Sequence, residues 1–352
     1  MPWTSYRWPY HVIARSSPRP FSTNARARLR RSYGFVCGAA LAVLAAACRD
    51  GGPGAPPTEI PSGPEAVVVT DQCTLPGLPA PADVLFLTGV PYYQPEGSAP
   101  VLDIVWPRAA PVGKYPLVVF VHGGAWREGG PSLLFEDAAR IAGQGFVAAS
   151  VGYRFAPETR YPGPVNDLRC ALRFLASTAA NVGADPSRVV LIGVSAGAQL
   201  VTLLAAAEND PTLDVACPHA APPPRIAGVV GISGPYDLRL SSVYPAGVRS
   251  TIFDFLGDAP ESVPQIAAAA SPVARVTAMM APTLLVHGSL DNLVPVAIAR
   301  EMLAALRTAT VPSTFVELPT VVHDVTPFDP AVDRRRASCT IYTFVRARLA
   351  ST

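Results

Sequence analysis

Along this chain the apolar positions fall into short continuous runs separated by stretches with helical spacing. Leu117-Val118-Val119-Phe120-Val121 and, but for Ser150, Phe146-Val147-Ala148-Ala149-Ser150-Val151 are apolar and partly β-branched, the pattern of strands buried on both faces. Arg188–Ile192, Ile226–Ile232, Thr283–His287 and Thr314–Leu318 read the same way. Val84–Leu87 and Leu102–Trp106 read as an opening antiparallel pair. Between these runs, residues 166–180 place Leu168, Leu172 and Leu175 on one helical face. Ala198–Ala207, Val296–Arg307 and Arg334–Leu349 are further predicted helices. Strands alternating with helices through short connections predict an α/β domain over residues 83–352: a mostly parallel sheet covered on both faces. No internal repeat is visible.

The N-terminal region breaks this pattern. Arg28, Arg30 and Arg31 precede an apolar run from Gly34 to Ala47, about 14 residues and too short for a membrane span of about 20. A basic flank, a short apolar core and small residues read as an export signal over residues 1–47. It ends in Leu44-Ala45-Ala46-Ala47-Cys48, which resembles a bacterial lipobox with Cys48 as the lipidated residue, although Ala45 stands where a larger residue is usual. Gly51-Gly52-Pro53-Gly54-Ala55-Pro56-Pro57 opens a Pro/Gly-rich tether and N-terminal loop, residues 48–82. The expected location is therefore outside the cytoplasm, as a membrane-anchored lipoprotein facing the periplasm or cell exterior. The only membrane contact expected is a lipid anchor at Cys48.

Composition sharpens this picture. The formal charge of +2 includes seven arginines in residues 1–47, where there is no acid, leaving 2 − 7 = −5 for the remainder. A net-negative body argues against a nucleic-acid partner. Cys73, Cys170, Cys217 and Cys339 are spaced too widely for a metal site, and no metal or cofactor is expected. In an exported protein they can form disulfides, with three pairings open.

The chemistry concentrates at Gly193-Val194-Ser195-Ala196-Gly197, between a predicted strand and a predicted helix. Gly-x-Ser-x-Gly in that setting is a nucleophile elbow, which holds a serine hydroxyl above the sheet edge. Serine needs a base. Of the five histidines, His323 alone combines a loop position after the last strand with the chain order Ser, acid, His. Asp291, in the turn after the preceding strand, is the candidate acid, with Asp324 and Asp237 as substitutes. His122-Gly123-Gly124-Ala125-Trp126 follows a central strand and can aim backbone N–H groups at a developing oxyanion. Gly124 and Ala125, with Gly123 as a further donor, and Ala196 after the nucleophile are the candidates.

On these residues the chain resembles the α/β-hydrolase superfamily, nearest the esterase/lipase group with a His-Gly-Gly-x-Trp oxyanion motif, which includes carboxylesterases and kynurenine formamidase. Ser150-Val151-Gly152-Tyr153-Arg154-Phe155-Ala156-Pro157-Glu158, Asp185-Pro186-Ser187-Arg188 and Gly234-Pro235-Tyr236-Asp237-Leu238 carry the resemblance further, over roughly residues 83–350. It implies hydrolysis of small carboxylic esters through an acyl-enzyme. An amidase, formamidase or peptidase on the same triad and a non-catalytic tethered binding module are the alternatives. Two departures stand out: Ala125 replaces a common third Gly, and Asp324 follows His323 where Gly is common. Only the tether and a loop precede Val84, so the cap is expected to be small or absent. Residues 211–224 and 239–270 are the candidate pocket covers, and Val243, Tyr244 and Ile252–Leu256 are either pocket lining or core.

Overall fold

The computed structural model describes residues 68–350, except 81, 96–97, 110–113, 214–216 and 324–325. The export signal, Cys48, the Gly/Pro-rich stretch and Asp324 lie outside the described residues. Eight strands form one sheet: β1 (Val84–Pro91), β2 (Val101–Pro107), β3 (Tyr115–Val121), β4 (Val147–Val151), β5 (Ala184–Val194), β6 (Arg225–Ile232), β7 (Thr283–Gly288) and β8 (Ser313–Leu318). Their spatial order is β1-β2-β4-β3-β5-β6-β7-β8. β2 pairs antiparallel with β1 and β4, and every other pairing is parallel.

Among the described residues, seven α-helices accompany the strands: α1 (Phe135–Ala142), α2 (Gly163–Val182), α3 (Ala196–Ala206), α4 (Ala246–Leu256), α5 (Pro264–Ala269), α6 (Val296–Thr308) and α7 (Arg335–Leu349). α1 and α7 cover one face of the sheet; α2, α3 and α6 cover the other. The pleat sends alternate residues of one strand to opposite faces. Val118 and Phe120 of β3 and Val190 and Ile192 of β5 join the core with Ile141, Ile341 and Phe344. Val119, Val121 and Leu191 instead meet Leu168, Leu172, Val201 and Leu204 of α2 and α3. Burial on both faces is why β3, β4 and β5 read as continuous apolar runs rather than alternating ones.

The predicted strands and major helices are present, with shifted ends. α2 runs longer than its leucine stripe, from Gly163-Pro164 to the left-handed Gly183 (φ 68°), both boundary signals in the sequence. α1 was not anticipated, because eight residues offer too few turns to display a helical period. α4 and α5 occupy residues expected only as a pocket cover. There Tyr244, Ile252, Phe255 and Leu256 are buried, whereas Val243 is exposed.

The cysteines pair as Cys73–Cys339 and Cys170–Cys217. The first joins the N-terminal loop to α7. Thr70 N–H donates to Thr340 Oγ1 (3.1 Å), and Arg335 donates to the Cys73 carbonyl (2.8 Å), so this part of the loop is docked on the body. The second ties the 211–224 segment to α2, where His219 packs edge-on against Phe174 and its Nε2 bonds the Tyr92 carbonyl. No helix among the described residues is long and apolar enough to cross a membrane.

Candidate active site

The loops after β3, β5, β7 and β8 leave the same edge of the sheet, the carboxyl edge of its parallel strands. Between β3 and β5 the winding direction reverses, which opens a crevice where ligands bind in open α/β sheets. The expected oxyanion loop follows β3 and Ser195 follows β5, so both flank that crevice.

The elbow is built by close approach. A Cβ on Gly193 would sit 2.3 Å from the Gly197 carbonyl oxygen, and one on Gly197 would sit 2.2 Å from Val121 O and 2.5 Å from His122 O. No larger residue fits, and α3 therefore begins directly against the end of β3. Ser195 has φ 54° and ψ −120°, a strained conformation for a residue with a side chain. Its amide N–H bonds Ile232 O at 2.8 Å and locks the turn onto β6.

The structure brings Ser195, His323 and Asp291 together. His323 Nε2 lies 3.0 Å from Ser195 Oγ, and His323 Nδ1 lies 2.7 Å from Asp291 Oδ2. An ionised carboxylate only accepts, so Nδ1 carries the hydrogen and Nε2 presents its lone pair to the serine hydroxyl. Asp291 Oδ1 accepts two backbone donors, Leu293 N–H (2.9 Å) and Val294 N–H (2.8 Å). Burial pushes the Asp291 pKa up, but hydrogen bonds from His287, His323 and Val294 N–H outweigh it and hold the carboxyl well below the usual carboxylate range. Ser289 N–H bonds Leu318 O (2.9 Å) and Leu290 N–H bonds Val321 O (3.0 Å), stitching the acid loop to the histidine loop. The substitute Asp237 is elsewhere engaged, buried and held by Arg239 (2.8 Å).

Of the expected oxyanion residues, Gly123 lies directly beside the nucleophile. A Cβ on Gly123 would come within 3.0 Å of Ser195 Cβ. Ala125 (φ 52°) and Trp126 (φ 60°) both take left-handed conformations. Trp126 is buried; its Nε1–H donates to Gln199 Oε1 (3.0 Å), and Gln199 Nε2–H donates to Ala270 O (2.7 Å). The indole stacks on Phe255 of α4 at 4.7 Å, and Arg127 pairs with Asp254 on the same helix. α4 thus braces the loop from outside while α3 holds it from below. His122 stacks on Tyr153 (4.6 Å) and donates from Nδ1 to Gly123 O (2.6 Å). Burial lowers its pKa.

Sequence reasoning passed over two residues here. Gln199 sat in a helix noted only for its composition. His287, noted as a strand end, points its Nε2 at Asp291 Oδ2 (3.1 Å) and Val294 O (2.9 Å). Its spacing four residues before Asp291 was the available signal. Among the described residues, no three His, Cys, Asp or Glu side chains converge as a metal site.

A strand order that reverses beside the elbow, with acid and histidine on the two following strand-end loops, defines an α/β-hydrolase fold. Comparison with known proteins narrows this. The chain belongs to the BD-FAE family, whose model matches residues 102–306 and so takes in Ser195 and Asp291. Esterase LipC of Mycobacterium tuberculosis (strain ATCC 25618 / H37Rv) is 31% identical over 243 residues, 67% of this chain and 59% of that protein. Esterase LipQ of the same strain is 30% identical over 242 residues, 66% of this chain and 55% of that one. The chain therefore spans less than two thirds of the length of these relatives. A solved structure described as a truncated form of carbohydrate esterase from gut microbiota superposes with a TM-score of 0.64 at 21% identity, covering 77% of this chain and 99% of that one, which speaks to the fold.

Proposed function

We propose that this protein is a serine hydrolase that cleaves small carboxylic esters through an acyl-enzyme intermediate. The observation that carries this reading is the relay from Asp291 Oδ2 through His323 to Ser195 Oγ, at 2.7 and 3.0 Å. Ser195 Oγ attacks the ester carbonyl while His323 Nε2 takes its proton. Asp291 orients the imidazole and stabilises its cation. The negative charge on the carbonyl oxygen is received by backbone N–H groups of Gly124 and Ala125, with Gly123, and of Ala196. His323 returns the proton to the departing alcohol, and water then attacks the acyl-serine by the same relay. The names of LipC and LipQ, both esterases, support an ester as the substrate.

Small acyl groups suit the surroundings. The connection between β6 and β7 supplies only the short α4 and α5 near the crevice, and α4 is committed to bracing Trp126. Leu290, Leu293 and Val322, the exposed apolar residues beside the acid and base, offer a limited surface for an acyl chain. A fluorophosphonate probe is expected to label the wild type and not Ser195→Ala. Turnover of p-nitrophenyl acetate and butyrate should exceed that of palmitate and fall about 10⁶-fold in Ser195→Ala, the loss seen when a serine protease triad loses its nucleophile. Unchanged labelling in Ser195→Ala, or faster anilide than ester cleavage, would overturn the assignment. The sequence features around Cys48 support an exported, lipid-anchored protein; Cys48→Ser should move it from the membrane fraction to the soluble one.

A further inference from the structure

Asp291 has two histidine neighbours, and the relay uses only one of them. His287, at the end of β7, is fully buried. Its Nε2 faces two acceptors, Val294 O at 2.9 Å and Asp291 Oδ2 at 3.1 Å, so Nε2 carries a hydrogen shared between them. Its Nδ1 is buried with no hydrogen-bond partner, so a second proton there would be unpaired. With Leu293 N–H and Val294 N–H on Oδ1 and His323 and His287 on Oδ2, the carboxylate is fully coordinated by four donors.

We propose that His287 is a positioning residue for the triad: its Nε2–H pins Asp291 Oδ2 and, by sharing that oxygen with His323, limits how strongly the carboxylate holds a proton on the His323 imidazole. The proposal rests on the triad reading above. Each donor spreads the carboxylate charge and makes it a weaker partner for the imidazolium. Without His287 the oxygen would serve His323 alone, and the imidazole would keep its proton to higher pH. Two other carboxyl groups lie near these histidines in the fold or the chain. Glu317 of β8, the register partner of His287 and in electrostatic contact with it, is engaged by Arg300 of α6 and by Ser289 Oγ–H (2.7 Å), and it too is unchanged in every variant compared. Asp324, next to His323 in the chain, is outside the described residues, and it is unchanged in every variant compared.

The test uses His287→Leu and His287→Asn, which remove the donor, and His287→Gln, whose amide nitrogen is the same number of bonds from the backbone and restores it. The His323 imidazole is titrated by ¹⁵N NMR in the Ser195→Ala background, and kcat/KM is followed against pH per fluorophosphonate-titrated site. His287→Leu and His287→Asn are expected to raise the His323 midpoint by about 0.5–1 pH unit and to shift the acid limb of kcat/KM upward equally, with kcat down about tenfold and KM little changed. His287→Gln is expected to return both toward wild type. A purely structural role would lower melting temperature and the titrated fraction while leaving the His323 midpoint in place, and that result, or a midpoint equally displaced in His287→Gln, overturns the proposal. Absence of turnover in the wild type would defeat the hydrolase reading, while the NMR titration still decides the role of His287.

Discussion

Replacing Gln199 by Leu removes a buried side chain that links the proposed oxyanion loop to the scaffold beneath it. The two residues are close in volume, so the substitution deletes hydrogen bonds without opening a large cavity. Gln199 is fully buried and makes two bonds there, accepting from Trp126 Nε1–H (3.0 Å) and donating to Ala270 O (2.7 Å). Leucine leaves both partners unsatisfied in a dry site. At about 1–3 kcal/mol for each stranded group, the expected loss is about 2–6 kcal/mol. That is a substantial share of the roughly 5–15 kcal/mol by which domains are stable. A second consequence separates this site from an ordinary buried amide. Ala125 and Trp126 hold left-handed conformations that neither prefers. With the indole N–H released, the loop loses one of the contacts that impose them, and the N–H groups of Gly124 and Ala125 drift from their target. A misplacement of about 1 Å costs up to about 10²-fold in rate. Urea unfolding followed by far-UV circular dichroism gives the first quantity, and kcat for p-nitrophenyl acetate per titrated serine gives the second. A Gln199→Leu protein with the wild-type midpoint and wild-type kcat would refute the reasoning.

Two further outcomes test the frame around the site. Asp137 of α1 is buried; burial pushes its pKa from the ordinary 3.8 up to about 6, against the Phe328 N–H bond that lowers it (3.2 Å). The folded state thus holds that proton more tightly, so the stability contribution falls as pH rises from about 4 through 6, by about 3 kcal/mol in total; Asp137→Asn, which can still accept from Phe328, should be more stable than wild type at pH 8 and equal to it near pH 4 in urea titrations, and equal stability at pH 8 would contradict this. Removing Cys73–Cys339 opens a 266-residue loop, for which chain entropy alone would give about 5–6 kcal/mol; because Cys73 lies on a segment outside the strands and helices, docked by few hydrogen bonds, Cys73→Ser/Cys339→Ser should show a smaller loss of stability, new proteolysis within residues 68–82 and full probe labelling of Ser195, whereas loss of labelling would show that the segment supports the site.

The frame was legible in the sequence because the parallel strands are buried on both faces and so carry continuous apolar runs that few helices imitate. Ser195 was legible because the elbow demands two small residues at fixed spacing, and the 2.3 and 2.2 Å approaches at Gly193 and Gly197 give the reason. Asp291 and His323 could be ranked by chain order together with their positions in loops after predicted strands. Their hydrogen bond depends on loops meeting across 32 residues of sequence. The brace from α4 was not legible. Phe253 and Phe255 looked equally suited to a pocket wall, and only Arg127–Asp254 and the Trp126–Phe255 stack reveal which way the helix faces. The disulfide pairing was beyond the sequence for the same reason: four scattered cysteines hold no record of which loops adjoin.

What is least predictable locally is also what sits nearest the proposed chemistry. Five non-glycine residues among those described have positive φ: Ala125, Trp126, Ser195, Ser233 and Thr310. Ser195 and Ser233 follow β5 and β6 directly, and Ala125 and Trp126 lie in the loop after β3, all at the carboxyl edge. Such conformations cost of order 1–3 kcal/mol each and persist only where the surroundings over-determine them. The surroundings do so here by named bonds: Ser195 N–H to Ile232 O (2.8 Å), Ser233 N–H to Val286 O (2.9 Å), and Ala156 N–H to Trp126 O (2.9 Å). Each bond runs to a neighbouring strand or to the segment after β4, so the strain is carried by the sheet and not by the loops themselves. A serine hydroxyl held within reach of His323, beside a left-handed loop, can therefore exist before any substrate arrives. That pre-arrangement requires a rigid sheet beneath it, covered by helices on both faces, which is why the same edge that violates local preference is underlain by continuous apolar strands.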